Sequence, residues 1–242
     1  MQNRYAGDVG DFGKLGMLRC IEQTGVKIGV NWYLVDDEIQ NQDGKHIGYL
    51  QDNNYVGNDD ILRIALATLI QNGERSVKRL EQLNLLQSRK YFHEILKSER
   101  SMLHEDRISW HLNGLKSMKD SELVFLDPDN GLIPKSVSLG SKKSIKYVLP
   151  EEIIDYFVSG HSVVFYSHRT REKLDVYLKR FNLLFGSKEL NNATIVGISF
   201  CRGTTRDYFF ILQEEHKERI LKGIDKLLCS NWSRHFTPIE IP

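Results

Sequence analysis

The feature that most constrains the fold is an apolar run ending abruptly in acids, at residues 122–132, Glu-Leu-Val-Phe-Leu-Asp-Pro-Asp-Asn-Gly-Leu. Its four consecutive apolar residues predict a strand that is buried on both faces in the middle of a parallel sheet. Pro128 has no N–H to donate, so we expect the strand to end before it. Because ligands of open α/β sheets bind beyond the carboxyl ends of the strands, this position predicts a site. Its candidate residues are Asp127, Asp129 and Asn130.

The same residues also have the composition of a tight turn. Turns favour Asp, Pro, Asn and Gly, and Asn or Gly takes any left-handed position. The turn and the site are compatible interpretations, because a turn at the end of this strand would still direct two carboxylates and an amide outward.

Strand and helix patterns alternate along the rest of the chain. Strands are predicted at residues 28–35, 91–96, 161–166, 193–200 and 207–212, and the last two form a hairpin. Helices are predicted between them, and their spacing predicts buried faces that include Ile61, Leu62, Ala65 and Leu69, then Ile108, Leu112 and Leu115. This order predicts one α/β domain over residues 1–242, with a Rossmann-like, mostly parallel sheet, an antiparallel C-terminal hairpin strand and a small helical insertion at about 51–88.

The N-terminal segment, residues 3–14, interleaves three glycines with two aspartates and a lysine. Glycines at this density indicate sharp turns or a close approach to the backbone. We expect Asp11 to cap the helix that follows. Helix N-termini also gather polar ligands, so this segment is a candidate ligand-binding site. Its candidate residues are Asp8, Asp11 and Lys14.

Three acids follow the first predicted strand. Asp36, Asp37 and Glu38 come directly after the apolar run at 28–35. As a cluster at the carboxyl end of a buried strand, they predict a second wall of the same crevice. Each acid taken alone is equally compatible with a solvated loop charge.

Basic residues follow two of the predicted strands. Residues 135–146 carry four lysines and no acid. A basic loop beside a crevice suits phosphate groups, although the same charge pattern is found in solvated loops. Beyond the strand at 161–166, His168 is a candidate general base or a simple hydrogen-bonding residue. The candidate phosphate-binding residues are Lys142, Lys143, Lys146, Arg169 and Arg171.

The composition narrows the class of protein. In 242 residues, 40% are hydrophobic and 27% are charged, which suits one large globular domain. The apolar runs are shorter than the roughly 18 residues of a membrane helix, and a signal segment is not evident. We therefore expect a cytoplasmic protein without a membrane partner. The three cysteines lack paired metal spacing and are expected to be reduced.

The order of elements resembles the class I methyltransferase fold, in which the last strand runs antiparallel after a hairpin. Asp-Pro-Asp-Asn at 127–130 resembles the Asp-Pro-Pro-Tyr type motif of amino-group methyltransferases. Residues 5–14 resemble the opening of the ribosomal RNA adenine-N6 methyltransferases that act on the large subunit. Gly-Asp-Phe-Gly-Lys and Leu-Asp-Pro-Asp-Asn-Gly-Leu also resemble motifs of an uncharacterised bacterial family.

The resemblance implies S-adenosylmethionine as cofactor and nucleic acid as partner. It places Lys14 near the cofactor, 36–38 at the first cofactor motif, and His168 after the fifth strand. The chain departs from the family in three places. It lacks the glycine-rich loop after Val35, and it has Asp129 for the second proline and Asn130 for the aromatic that stacks on a flipped adenine.

Three functions are therefore compatible with the sequence. The first is a methyltransferase-like enzyme acting on an amino group of nucleic acid. The second is a Mg²⁺-dependent nuclease or phosphodiesterase, in which Asp127, Asp129 and one acid of 36–38 bind the metal and His168 serves as base. The third is a non-catalytic relative that binds nucleotide or nucleic acid.

Overall fold

The computed structural model describes residues 1–37, 46–88, 90–97 and 105–241. Strands within these residues are β1 Ile28–Asn31, β2 Lys90–Phe92, β3 Leu123–Leu126, β4 Gly131–Leu132, β5 Tyr147–Val148, β6 Ser162–His168, β7 Thr194–Arg202, β8 Thr204–Leu212 and β9 Phe236–Ile239. The α-helices are α1 Val9–Glu22, α2 Asp60–Gln71, α3 Val77–Gln82, α4 Glu105–Ser117, α5 Pro150–Val158, α6 Leu174–Leu178, α7 Asn182–Phe185 and α8 Glu214–Leu228.

The described residues form a seven-stranded central sheet in the order β2-β1-β3-β6-β8-β7-β9. Strands β2, β1, β3 and β6 pair in parallel. Strand β8 pairs antiparallel with both β6 and β7, and β9 pairs antiparallel with β7. The predicted α/β class, the mostly parallel arrangement and the antiparallel C-terminal hairpin are therefore confirmed.

Helices cover both faces of this sheet. Alternate residues of β3 point to opposite sides, so that Leu123 and Phe125 join one apolar cluster and Val124 and Leu126 join the other. The first cluster contains the buried faces of α1, α2, α3 and α8. The second contains residues of α4, α5, α6 and α7. Because β3 is buried on both faces, Asp127 at its carboxyl end is the first polar residue after this buried strand.

Helix α1 lies close to the sheet because three of its residues lack a side chain. A Cβ at Gly10 would lie 2.7 Å from Arg206 Nε, and one at Gly13 would lie 2.9 Å from the Phe200 ring. The cap of this helix differs from the prediction. Asp8, one turn before Asp11, is the N-cap, and its Oδ1 accepts the Asp11 N–H at 3.0 Å.

Two predicted helix faces were partly wrong. In α4, Ile108 and Leu112 are 48% and 57% exposed, because the helix turns Arg107 inward to form an ion pair with Glu152. In α2, Ile61 is 73% exposed, while Leu62 and its neighbours one and two turns later are buried. Apolar periodicity locates a helix well. It decides the buried side less well, because packing also depends on polar groups with long-range partners.

The segment predicted as an insertion, about 51–88, lies between β1 and β2. It contains short 3₁₀ turns followed by α2 and α3, and its buried leucines belong to the same apolar cluster as α1 and α8. Of the described helices, none is long and apolar enough to cross a membrane.

Candidate functional site

A cavity of about 370 Å³ opens at the carboxyl ends of β3 and β6. The start of α1 forms one wall, and the start of β8 forms another. Predicted site residues in its lining are Asp8, Asp11, Lys14, Asp127, Asp129, Asn130 and His168. The structure therefore brings together the N-terminal segment and the central turn, which are more than a hundred residues apart in the chain.

An ammonium group between two carboxylates lies at the floor of this cavity. Lys14 Nζ is 2.5 Å from Asp127 Oδ2 and 2.9 Å from Asp11 Oδ1, and all three side chains are buried. Burial by itself would lower the pKa of Lys14, but the negative charges of Asp11 and Asp127 raise it well above its usual value. Lys14 is therefore positively charged at any physiological pH, and it holds Asp127 in a fixed orientation.

A second pair of opposite charges lies on the α1 side of the cavity. Arg206, at the start of β8, has its guanidinium 3.9 Å from Asp8 Oδ2. Burial and the nearby charge of Asp11 raise the pKa of Asp8, and the positive charge of Arg206 opposes that rise. This wall therefore combines an acidic and a basic side chain, and both are largely buried.

Asp129 is held by the N-terminal residues of the chain. Its Oδ1 is 2.7 Å from the α-amino group of Met1, and its Oδ2 accepts a hydrogen bond from Gln2 at 2.5 Å. Burial would raise the pKa of Asp129, but the Met1 ammonium, the Gln2 amide and the charge of Lys146 lower it. Asp129 is consequently ionised and engaged within the protein.

The central turn is fixed against β6. Gly131 has φ of +105°, and a Cβ there would lie 2.7 Å from the Cα of Ser167, so only glycine fits without strain. The Asn130 N–H donates to the Lys146 carbonyl at 2.9 Å, and the Asn130 carbonyl accepts from the His168 N–H at 3.2 Å. The chain therefore bends at 127–130, as the turn interpretation requires, and these residues lie in the lining of the first cavity.

Two rings of β6 face the cavity beside this turn. The hydroxyl of Tyr166 and Nδ1 of His168 are 3.2 Å apart. Burial and the charge of Arg206 lower the pKa of His168 below its usual value of 6.5, so the imidazole is neutral near pH 7. A neutral imidazole can accept a proton, and both rings offer a flat surface.

A second cavity, of about 850 Å³, adjoins the first. Asn130 and His168 line both cavities. Its remaining walls come from the segment after β4, the start of α5, and helices α6 and α7. The two cavities therefore meet at Asn130 and His168, near the carboxyl end of β6.

The structure places several predicted site residues away from both cavities. Arg169 donates from Nε and Nη2 to the buried Asp207 at 2.8 Å each, which makes it a structural residue. Asp36 and Asp37 are exposed, and Asp37 accepts the backbone N–H of Arg4. The strand ends at Asn31, so these acids lie several residues past the crevice. Glu38 lies outside the described residues.

The candidate phosphate-binding residues of the basic loop differ in their distance from the site. Lys142, Lys143 and Arg171 are exposed and are absent from the described linings of both cavities. Lys146 lies closer to the site, where its charge acts on Asp129 and its carbonyl holds the central turn. Of the candidate phosphate residues, Lys146 is therefore the one that the fold brings next to the first cavity.

Residues that the sequence analysis did not select include Tyr166, Arg206, Tyr5 and His46, which also line the first cavity. One signal for Arg206 was available. A strand that runs antiparallel to its neighbours begins at the end of the sheet where they end. The first residues of the second hairpin strand were therefore expected at the same end of the sheet as Asp127. Tyr166 carried no comparable signal, because an aromatic residue at the end of an apolar run is usual in a strand.

The linings contain no clear site for a divalent metal. Among the residues that the structure describes, no group of three or more His, Cys, Asp and Glu side chains is arranged to hold an ion. Asp127 and Asp129 each face a cationic nitrogen, Lys14 Nζ and the Met1 amino group respectively. A metal at either carboxylate would have to displace that cation.

The fit to S-adenosylmethionine differs between two sides of the cavity. After β1, where class I enzymes carry glycines, Trp32 and Tyr33 are fully buried, and the Tyr33 carbonyl accepts from the Met1 amino group at 3.0 Å. That loop leaves no close approach for a ligand. The α1 side offers Arg206 and Asp8, whose charges match the carboxylate and ammonium of the methionine end, whereas Lys14 is already paired with Asp11 and Asp127. The residues present thus fit the cofactor on the α1 side.

Comparison with known proteins adds little. No family model matches the chain, and no curated protein matches it. A crystal structure of protein LPL1258 from Legionella pneumophila str. Philadelphia 1, with the family-model name DUF519, is similar over 97% of each chain, with 11% identity and a TM-score of 0.42. A likeness of that size supports no conclusion about the fold or the function of this chain.

Proposed function

We propose that this chain is a methyltransferase-like enzyme that acts on an exocyclic amine of a nucleobase in nucleic acid, with S-adenosylmethionine as the methyl donor. The observation that carries the proposal is Asp127. It is a buried carboxylate at the carboxyl end of the central strand, held by Lys14 and directed into a cavity with two rings at its side. The proposal combines this geometry with the resemblance of the turn and of the N-terminal segment.

Asp127 would recognise the amine. Its Oδ2 accepts from Lys14, which leaves Oδ1 as the oxygen that meets a substrate N–H. An ionised acceptor in a buried site makes a stronger hydrogen bond than a neutral one. Such a bond to the N–H would reduce the conjugation of the amine nitrogen's lone pair with the ring. Burial raises the pKa of Asp127, and the charge and hydrogen bond of Lys14 oppose that rise and favour the ionised form.

Tyr166 and His168 would supply the flat surface that position 130 lacks. Both side chains lie on β6, beside the turn that carries Asn130. Base stacking on an aromatic side chain is worth about 1 to 3 kcal/mol per base. In the tautomer of His168 whose Nδ1–H donates to the Tyr166 hydroxyl oxygen, Nε2 is the nitrogen that accepts the proton an amine must lose.

The methionine end of the cofactor would be held on the α1 side. Arg206 suits its carboxylate and Asp8 suits its ammonium, and Lys14, paired with Asp11 and Asp127, adds positive charge to the floor beside them. When bound, S-adenosylmethionine supplies an electrophilic methyl group. Gly10 lines the same wall, and its lack of a side chain lets Arg206 lie against α1, because a Cβ there would be 2.7 Å from Arg206 Nε.

The proposal is tested first by ligand binding. S-adenosylhomocysteine should raise the unfolding midpoint and give a saturable calorimetric isotherm, because a ligand that binds only the folded state stabilises it by mass action. Lys14→Met should abolish the isotherm. In the matched control Lys222→Gln, which changes an exposed lysine of α8, binding should be unchanged.

Methyl transfer is the second test. Labelled methyl groups from S-adenosylmethionine should appear in adenine- or cytosine-containing nucleic acid. Asp127→Asn should reduce incorporation at least a hundredfold, because it removes a charged hydrogen-bond acceptor at the reacting amine. The circular dichroism spectrum of this variant should be unchanged. A midpoint raised by Mg²⁺, with no response to S-adenosylhomocysteine, would instead favour the phosphodiesterase. No response to either ligand would favour a non-catalytic nucleic-acid-binding protein.

A further inference from the structure

The second cavity combines an apolar surface with a basic rim. Its lining includes large side chains that remain open to solvent, and Leu139, Val176 and Leu183 are 54%, 45% and 75% exposed. Lys135 and Lys179 lie in the same lining, on opposite walls. Isolated exposed apolar residues are common, but several on the walls of one groove indicate a binding surface for a partner molecule.

The charge around this groove is predominantly positive. The segment 135–146 that borders it carries four lysines and no acid. Elsewhere in the lining, Lys179 and Arg180 are basic; Arg180 is paired with Glu172 at 2.6 Å, and the acid in the described lining is Glu151. An anionic partner is therefore favoured over a neutral or basic protein surface.

The groove adjoins the candidate active site. Asn130 and His168 line both cavities, so that a polymer lying in the groove would reach the border of the cavity that Asp127 lines. The basic segment is also tied to the turn, because the Lys146 carbonyl accepts the Asn130 N–H at 2.9 Å. A partner bound in the groove thus has a defined direction of approach to the first cavity.

From these observations we infer that the groove binds single-stranded nucleic acid next to the target base. The unstacked bases would contact the apolar lining and the exposed His168 ring, and Lys135 and Lys179 would contact phosphates. A duplex presents its phosphates but keeps its bases stacked inside, so it cannot cover the apolar lining. The inference rests on the proposed function, since it names the form of that enzyme's substrate.

The test uses the full-length protein and a fluorescent oligothymidylate, either single-stranded or paired with oligoadenylate. Thymine has no exocyclic amine, so binding of the single strand reports on the groove and not on recognition at Asp127. We expect tighter binding of the single strand than of the duplex. Lys135→Gln and Lys179→Gln should each weaken it severalfold and reduce the slope of log affinity against log salt by about 0.7 for each phosphate that the variant no longer neutralises.

Two further variants separate charge from apolar contact. Leu183→Ser should weaken binding of the single strand without changing the salt slope, and its 75% exposure means that folding should be unaffected. Lys222→Gln removes the same charge from an exposed position on α8 and should leave binding unchanged.

The outcomes for groove and enzyme are distinguishable. Equal affinity for single strand and duplex, or equal weakening by the Lys222 control, would overturn the single-strand groove even if S-adenosylhomocysteine binds. If the single strand binds in the groove but S-adenosylhomocysteine does not bind, the inference about the groove would be supported and the proposed methyltransferase activity would be rejected. Binding of an acidic peptide that competes with the oligonucleotide and depends on Leu183 more than on either lysine would point to a protein partner and contradict the inference.

Discussion

Lys14 is the residue on which the charge balance of the first cavity depends, because its ammonium contacts two buried carboxylates. Lys14→Met should lower the free energy of unfolding by about 3 to 5 kcal/mol, since removing one partner leaves buried charge uncompensated. Urea unfolding measures this decrease. The double variant Lys14→Met/Asp127→Asn should recover part of it, and a double variant that is less stable than Lys14→Met alone would contradict the pairing.

At the same scale, His168 gives the site a pH dependence. The pKa of this imidazole is lowered by burial and by Arg206, so the ring is neutral above that pKa and gains a proton as the pH falls through it. Methyl transfer should therefore decline on the acidic side, with a midpoint below pH 6.5. A pH series of initial rates checks the midpoint. His168→Gln should lower the rate and remove this limb, and an unchanged limb would assign the titration to another group.

At the scale of elements, the central turn depends on Gly131, whose φ of +105° and close approach to Ser167 exclude a side chain. Gly131→Ala should destabilise the fold by about 1 to 3 kcal/mol and displace Asp127, so that both stability and methyl transfer fall. Thermal unfolding and initial rates measure the two effects. Gly140→Ala is the matched control, because a Cβ there meets nothing within 4 Å and should change neither quantity.

At the scale of the whole molecule, the two apolar clusters share the central sheet and should unfold together. Phe12 and Phe209 are fully buried on opposite faces. Each Phe→Ala variant should cost about 3 to 5 kcal/mol. Circular dichroism and tryptophan fluorescence should report one coincident transition in both variants. Two separated transitions in either variant would show that the faces belong to independent folding units.

The sequence by itself determined the type of the long elements and the chemistry of the central turn, but not the short strands β4, β5 and β9. Three constraints are local: residues 123–126 are buried on both faces, Pro128 has no N–H, and Gly131 has a positive φ. Each constraint depends on the residue type at that position. The alternation of strand and helix patterns likewise predicted the fold class, because periodicity records which side of an element meets the core.

Only the tertiary structure decided which charges meet. Lys14 and Asp127 are 113 positions apart, and Arg206 reaches Asp8 from the other end of the chain. Such contacts depend on the order of strands in the sheet, which local patterns do not encode. For the same reason Arg169, predicted to bind phosphate, is paired with buried Asp207, and Asp37 lies outside the crevice. Periodicity reports burial within an element, whereas a site is made by elements that the sheet brings together.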